Sequence, residues 1–151
     1  MLLSQKLKED LKESMRSRDA DRVSVIRLLM ATIKNKEIEK GKDAHLSDDE
    51  IFALIASAAK QRTESIEQFE KAGRSDLVEK ETKERHILQL YLPEPLTEAE
   101  LQIKVAEAIA QAGAVDMKKM GEVMKILVPP LVGRADGNLL RKMVQTALQG
   151  N

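Results

Sequence analysis

A chain of 151 residues fits one medium domain or two small ones. Acidic and basic residues balance at 25 each, so no global field draws it to nucleic acid or to a membrane. Cysteine and tryptophan are absent, and the only aromatics are Phe52, Phe69 and Tyr91. That excludes disulfides, thiol nucleophiles and thiolate metal sites, and leaves little on which a single-stranded base could stack.

With so few aromatics the core must come from Leu, Ile, Val, Ala and Met, a palette that favours helix seams over strands. The start, Met1-Leu2-Leu3-Ser4-Gln5-Lys6, turns charged at once and does not read as a signal peptide. Apolar runs stay far below the roughly 20 residues that span a bilayer. These features predict a soluble protein of the reducing cytoplasm with no membrane association.

Leu3, Leu7, Leu11 and Met15 recur at i+4 and predict a helix from about Leu2 to Arg16. Asp19 caps a second helix that runs to Lys40 and ends at Gly41. Its seam is Val23, Ile26, Met30 and Ile33; Val25, Leu28 and Leu29 widen it to the surface of a central helix covered from several sides. Arg27 borders that face and calls for a carboxylate partner among Glu64, Glu67, Glu81 and Glu84, or for a ligand. Ser47 to Glu50 is a capping box, with Leu46 as a hydrophobic staple, for a third helix reaching Gly73. Ser75 opens a fourth helix that must stop before Pro93.

Leu92-Pro93-Glu94-Pro95-Leu96 excludes a continuous helix and marks the boundary between residues 1–92 and 93–151. Thr97 to Glu100 repeats the capping-box pattern for a helix ended by Gly113. A further helix is predicted from Met117 to Val128. Asp136 caps the last one, Gly137 to Gln149, with Leu139, Leu140, Met143, Val144, Ala147 and Leu148 facing inward. The expectation is an all-α protein: a four-helix N-terminal unit and a three-helix C-terminal unit joined by a proline linker.

Catalytic machinery is not visible. His45 and His86 stand alone without metal-face spacing, no serine sits in a nucleophile turn, and the glycines form neither a phosphate loop nor a dinucleotide fingerprint. No catalytic residue, metal ligand or cofactor is assigned, and no small-molecule substrate is evident.

The charge pattern says more. Within residues 117–151, Lys118, Lys119, Lys125, Arg134, Arg141 and Lys142 outnumber Glu122 and Asp136, a local excess of four on a neutral chain. On one helix at ~100° per residue, Lys118 and Lys125 fall together beside the methionine stripe of Met117, Met120 and Met124. Gly121 lies between. An interior glycine costs roughly 1 kcal/mol relative to alanine, so something should approach the backbone there. It could be another helix, or a phosphate backbone drawn in by the lysines. The methionines serve as adaptable core filler in preference to a peptide-binding surface. Asp136 argues mildly against an anion at the last helix's N-terminus, because its carboxylate occupies those amide donors.

These residues resemble the YqeY family. The likeness runs through Arg27 to Glu39, Lys60-Gln61-Arg62, Glu67-Gln68-Phe69, Gly73 to Leu77 and Tyr91 to Leu96, and on to Met120-Gly121 and Gly133-Arg134-Ala135-Asp136-Gly137. The C-terminal part of that family is similar to the tail domain of the GatB subunit of glutamine-dependent tRNA amidotransferases. There the tail helps hold tRNA, while amide transfer occurs elsewhere. The tail motif falls on Lys118, Gly121, Met124, Gly133, Ala135 and Asp136. The resemblance implies an all-helical, tRNA-facing module and an amidotransferase-related label. It does not imply that this chain forms a carbon–nitrogen bond.

Three readings follow. The first is an accessory module binding tRNA through Lys118, Lys119, Gly121, Lys125, Gly133, Arg134, Arg141 and Lys142. The second is a non-catalytic component of a glutamine-dependent carbon–nitrogen ligase, beside amidotransferase subunits. The third is a protein–protein adaptor.

Overall fold

The computed structural model describes residues 2–131 and 134–150. Among them are seven α-helices and no strand, as expected: α1 (Leu3–Arg16), α2 (Ala20–Lys40), α3 (Asp48–Lys71), α4 (Ser75–Gln89), α5 (Glu98–Ala112), α6 (Met120–Leu127) and α7 (Gly137–Gln149). Contacts divide the chain into two compact units, Met1–Leu92 and Pro93–Asn151.

In the first unit, the helix ends follow from local chemistry. The Asp19 carboxylate accepts from the Arg22 amide at 3.2 Å, and Gly41 ends α2 with φ of 142°. At α3 the capping box is complete. Glu50 donates its amide to Ser47 Oγ at 3.2 Å, and Ser47 returns its own amide to Glu50 at 2.7 Å. That amide and the Lys40 ammonium hold the Glu50 carboxyl below its usual range. Helix α1 has no cap of its own, so its first amide, on Leu3, donates to Asp48 of α3 at 3.1 Å.

Leu7, Ile26, Ile51 and Ile55 are fully enclosed, with Leu3, Val25, Leu29, Leu88 and Tyr91 around them. Burying each such side chain contributes roughly 1.5–3 kcal/mol. The Tyr91 hydroxyl donates to the Asp10 carboxylate, and the Lys6 ammonium lies 5.5 Å from the Tyr91 ring centre. Burial, and then the Asp10 carboxylate, push the Tyr91 hydroxyl up to about 12.

Two expectations for α2 are corrected here. Leu28 is 58% exposed, so α2 is open on one side. Arg27 is exposed as well, and it is Arg62 of α3 that takes the carboxylates of α4, Glu84 at 2.7 Å and Glu81 at 3.0 Å. Arg62 was not singled out from the sequence, and it is the packing of α4 against α3 that brings Glu81 and Glu84 to it.

The second unit packs α5, α6 and α7 around Leu101, Val105, Val123, Leu127, Leu140, Val144 and Leu148. Thr97 Oγ1 caps α5 by accepting from the Glu100 amide at 3.2 Å, and Gly113 ends that helix at φ of 64°. The single helix expected from Met117 begins instead as a 3-10 turn, Met117–Lys119, with α6 starting at Met120. Asp116 accepts from the Lys118 amide at 2.9 Å and tightens that turn. A second 3-10 turn, Pro129–Leu131, follows α6 where proline removes helical donors. Leu139 is 45% exposed, not core, since Leu140, Val144 and Leu148 centre the buried stripe one residue further on.

Candidate nucleic-acid interface

Lys118, Lys119 and Lys125 are all exposed, and none joins an ion pair among the described residues. Lys118 and Lys119 belong to the 3-10 turn and Lys125 to α6, so the helical wheel that aligned Lys118 with Lys125 does not apply. The turn advances at about 120° per residue instead of 100°.

The glycine positions carry the most information. Gly121 lies in the first turn of α6 and is exposed, and a side chain added there would meet nothing within 4 Å. No other helix comes within 4 Å of that position, so the close helix contact invoked to explain Gly121 is not made within the unit. Gly137, the first residue of α7, is equally open. The two glycines share a groove of about 410 Å³ with Met120, Met124, Asn138 and Arg141. Its lining contains bare backbone, one amide side chain and one guanidinium, with no carboxylate.

Not every expected cation points here. Lys142 lines a different groove, of about 620 Å³, between α5 and α7, with Glu98, Val105, Ile109 and Met143. Arg134 is half-buried and donates Nε to the Glu94 carbonyl at 3.3 Å, while its own carbonyl accepts from the Leu96 amide at 3.1 Å. That side chain ties the turn before α7 to the chain before α5. Gly133 lies outside the described residues. Asp136 accepts from the Asn138 amide at 3.2 Å, so one donor at the α7 N-terminus is occupied, as its position in the sequence indicated. Gly137 and Asn138 were not among the expected site residues. The signal for them was the glycine closing the Gly133 to Gly137 motif.

Both histidines belong to the first unit: His45 Nδ1 is 3.3 Å from Glu37, and His86 is exposed on α4. Among the described residues no three metal-capable side chains cluster.

The model of the family described as Yqey-like protein matches residues 4–148. The chain belongs to the YqeY-like family. Its relatives include proteins named altered inheritance of mitochondria protein 41, mitochondrial. The one from Eremothecium gossypii is 42% identical over 104 residues, covering 69% of this chain and 53% of the relative. The one from Lachancea thermotolerans is 43% identical over 108 residues, covering 70% and 57%. The one from Pyrenophora tritici-repentis is 34% identical over 142 residues, covering 93% and 77%. The chain thus spans little more than half the length of the first two relatives.

Those names overturn the expectation of a cytoplasmic YqeY-like protein. That expectation rested on missing cysteine and on a start that turns charged at once. Neither distinguishes one reducing compartment from another. Among the described residues no helix is long and apolar enough to cross a membrane.

Proposed function

We propose that the C-terminal unit binds the sugar-phosphate backbone of structured RNA, tRNA above all, as an accessory module. The observation that carries this reading is the open groove of Gly121 and Gly137 beside Asn138 and Arg141, with no carboxylate in its lining. Bare backbone admits a bulky phosphate chain, a guanidinium pairs with phosphate oxygens, and an amide serves ribose hydroxyls. Lys118, Lys119 and Lys125 add the sequence-independent electrostatic attraction. Lack of aromatic side chains in this unit favours backbone contacts over base stacking. Any part in amide transfer would be that of a tRNA-holding accessory beside separate catalytic subunits.

The test is binding of the purified protein to bulk tRNA across a salt series, with duplex DNA as control. Micromolar, tRNA-preferring, salt-sensitive binding is expected. Lys118→Ala with Lys125→Ala should flatten the log–log salt slope by about one unit per lysine. A side chain at Gly121 starts into open space, so Gly121→Leu should weaken binding by roughly tenfold with no loss of helicity. Full binding by both variants would sink this surface. Absence of tRNA binding near 50 mM salt would favour a protein partner, for which the α5–α7 groove offers an apolar seat.

A further inference from the structure

Building on the RNA reading of the Gly121–Gly137 groove, we infer that Met120 and Met124 form a reversible oxidation site for hydroperoxides, which weakens RNA binding when their thioethers become sulfoxides. Cysteine is absent, so the only sulfur that a peroxide can oxidise in this chain is that of its seven methionines. Among the described residues, Met120 and Met124 alone of these line the groove, together with Gly121, Gly137, Asn138 and Arg141. Met15 is exposed on α1, Met30 packs on the core of the first unit, and Met143 lines the α5–α7 groove.

Met120 and Met124 stand one turn apart on the same face of α6 and are half-buried. They pack against the apolar cluster of the second unit and also line the open groove. Holding a phosphate backbone uses Arg141, Asn138 and bare main chain, and calls for no thioether. Leucine would fill the same volume at little cost. Reversible oxidation is a property that leucine lacks. As flexible filler alone, the pair would affect RNA binding on oxidation no more than Met15 does.

The chemistry balances with hydrogen peroxide as co-reactant. The thioether sulfur attacks one peroxide oxygen, a sulfur–oxygen bond forms and the oxygen–oxygen bond breaks. The displaced hydroxide takes the proton from the new S–OH group and leaves as water. Sulfur is oxidised and the peroxide is reduced. A thioether is a weak acceptor, whereas the sulfoxide oxygen is the negative end of a strong dipole. Two such oxygens add partial negative charge to a lining that has no carboxylate. They also compete with phosphate and ribose oxygens for the donors of Arg141 and Asn138.

The test treats the full chain with dilute hydrogen peroxide and measures its affinity for bulk tRNA, with the oxidation of each methionine followed by peptide mass spectrometry. Conversion of Met120 and Met124 should weaken binding roughly tenfold. Methionine sulfoxide reductases of both epimer specificities should restore it. Met15→Leu with Met117→Leu should keep the response. Met120→Leu with Met124→Leu, compared with its own untreated form, should lose it. Bound tRNA should slow the oxidation of Met120 and Met124 and leave that of Met15 unaffected, a readout that needs no substitution. Far-ultraviolet circular dichroism should be unchanged by the treatment. The inference is overturned if tRNA binds equally well after both thioethers are oxidised, if the Met120 and Met124 leucine pair responds like the parent, or if affinity falls only together with helicity. Absence of tRNA binding before any treatment instead overturns the function proposed above, and this switch with it.

Discussion

Single residues in this protein divide by what surrounds them. Gly121 has open space where its side chain would be, so alanine there removes backbone entropy at no steric cost. Gly121→Ala should raise stability by about 0.5–1 kcal/mol in thermal melts while lowering tRNA affinity. If stability and affinity rise together, the glycine serves something other than backbone approach. Tyr91 is the opposite case, buried and bonded to Asp10. Its folded hydroxyl ionises near 12, against the ordinary value of 10, so the neutral form is favoured by folding. The resulting stability is present below pH 10 and is lost as pH rises from 10 towards about 12. Tyr91→Phe should remove that component, and the two proteins' alkaline melting profiles should converge across this window. Neither the space at Gly121 nor the partner of Tyr91 was readable from the chain. Both depend on residues far away in sequence.

At the scale of helices, sequence was most reliable where the determining contact is local. The caps at Asp19, Ser47, Thr97 and Asp136 each join residues two or three positions apart, and all four accept the hydrogen bond that their side chains invite. The 3-10 start before α6 escaped because apolar periodicity does not separate two helix types within one turn. Leu28 and Leu139 escaped because a helix wheel shows which residues share a face but not where the neighbouring helix stops. Arg27 and Arg62 illustrate the same limit with charge. The Arg62 cluster leads to a prediction about the α3–α4 pair. Arg62→Ala leaves Glu84, which is 5% exposed, without its cation, and should cost about 3 kcal/mol in chemical denaturation. Adding Glu84→Leu to a conservative Arg62→Met should recover most of that loss. Persistence of the full cost would mean that Arg62 acts mainly through its packing.

Across the whole molecule, each unit encloses its own apolar cluster. Large-to-small changes should therefore act on one cluster at a time. Leu7→Ala and Leu140→Ala should each cost about 3 kcal/mol. Hydrogen exchange should report lost protection in the mutated unit alone, with additive effects in the double variant. Loss of protection in both units from either change would show a single cooperative fold. By itself the sequence determined the helical class, most helix ends and the family, because these rest on periodicity, short-range capping and motif spacing. Only the tertiary structure decided which cations converge. It put Arg141 beside Gly121 and Gly137, turned Lys142 into another groove and tied Arg134 to Glu94. The physical reason is that a binding groove is a property of the gaps between helices, and no residue's own neighbours along the chain specify which gap it will line.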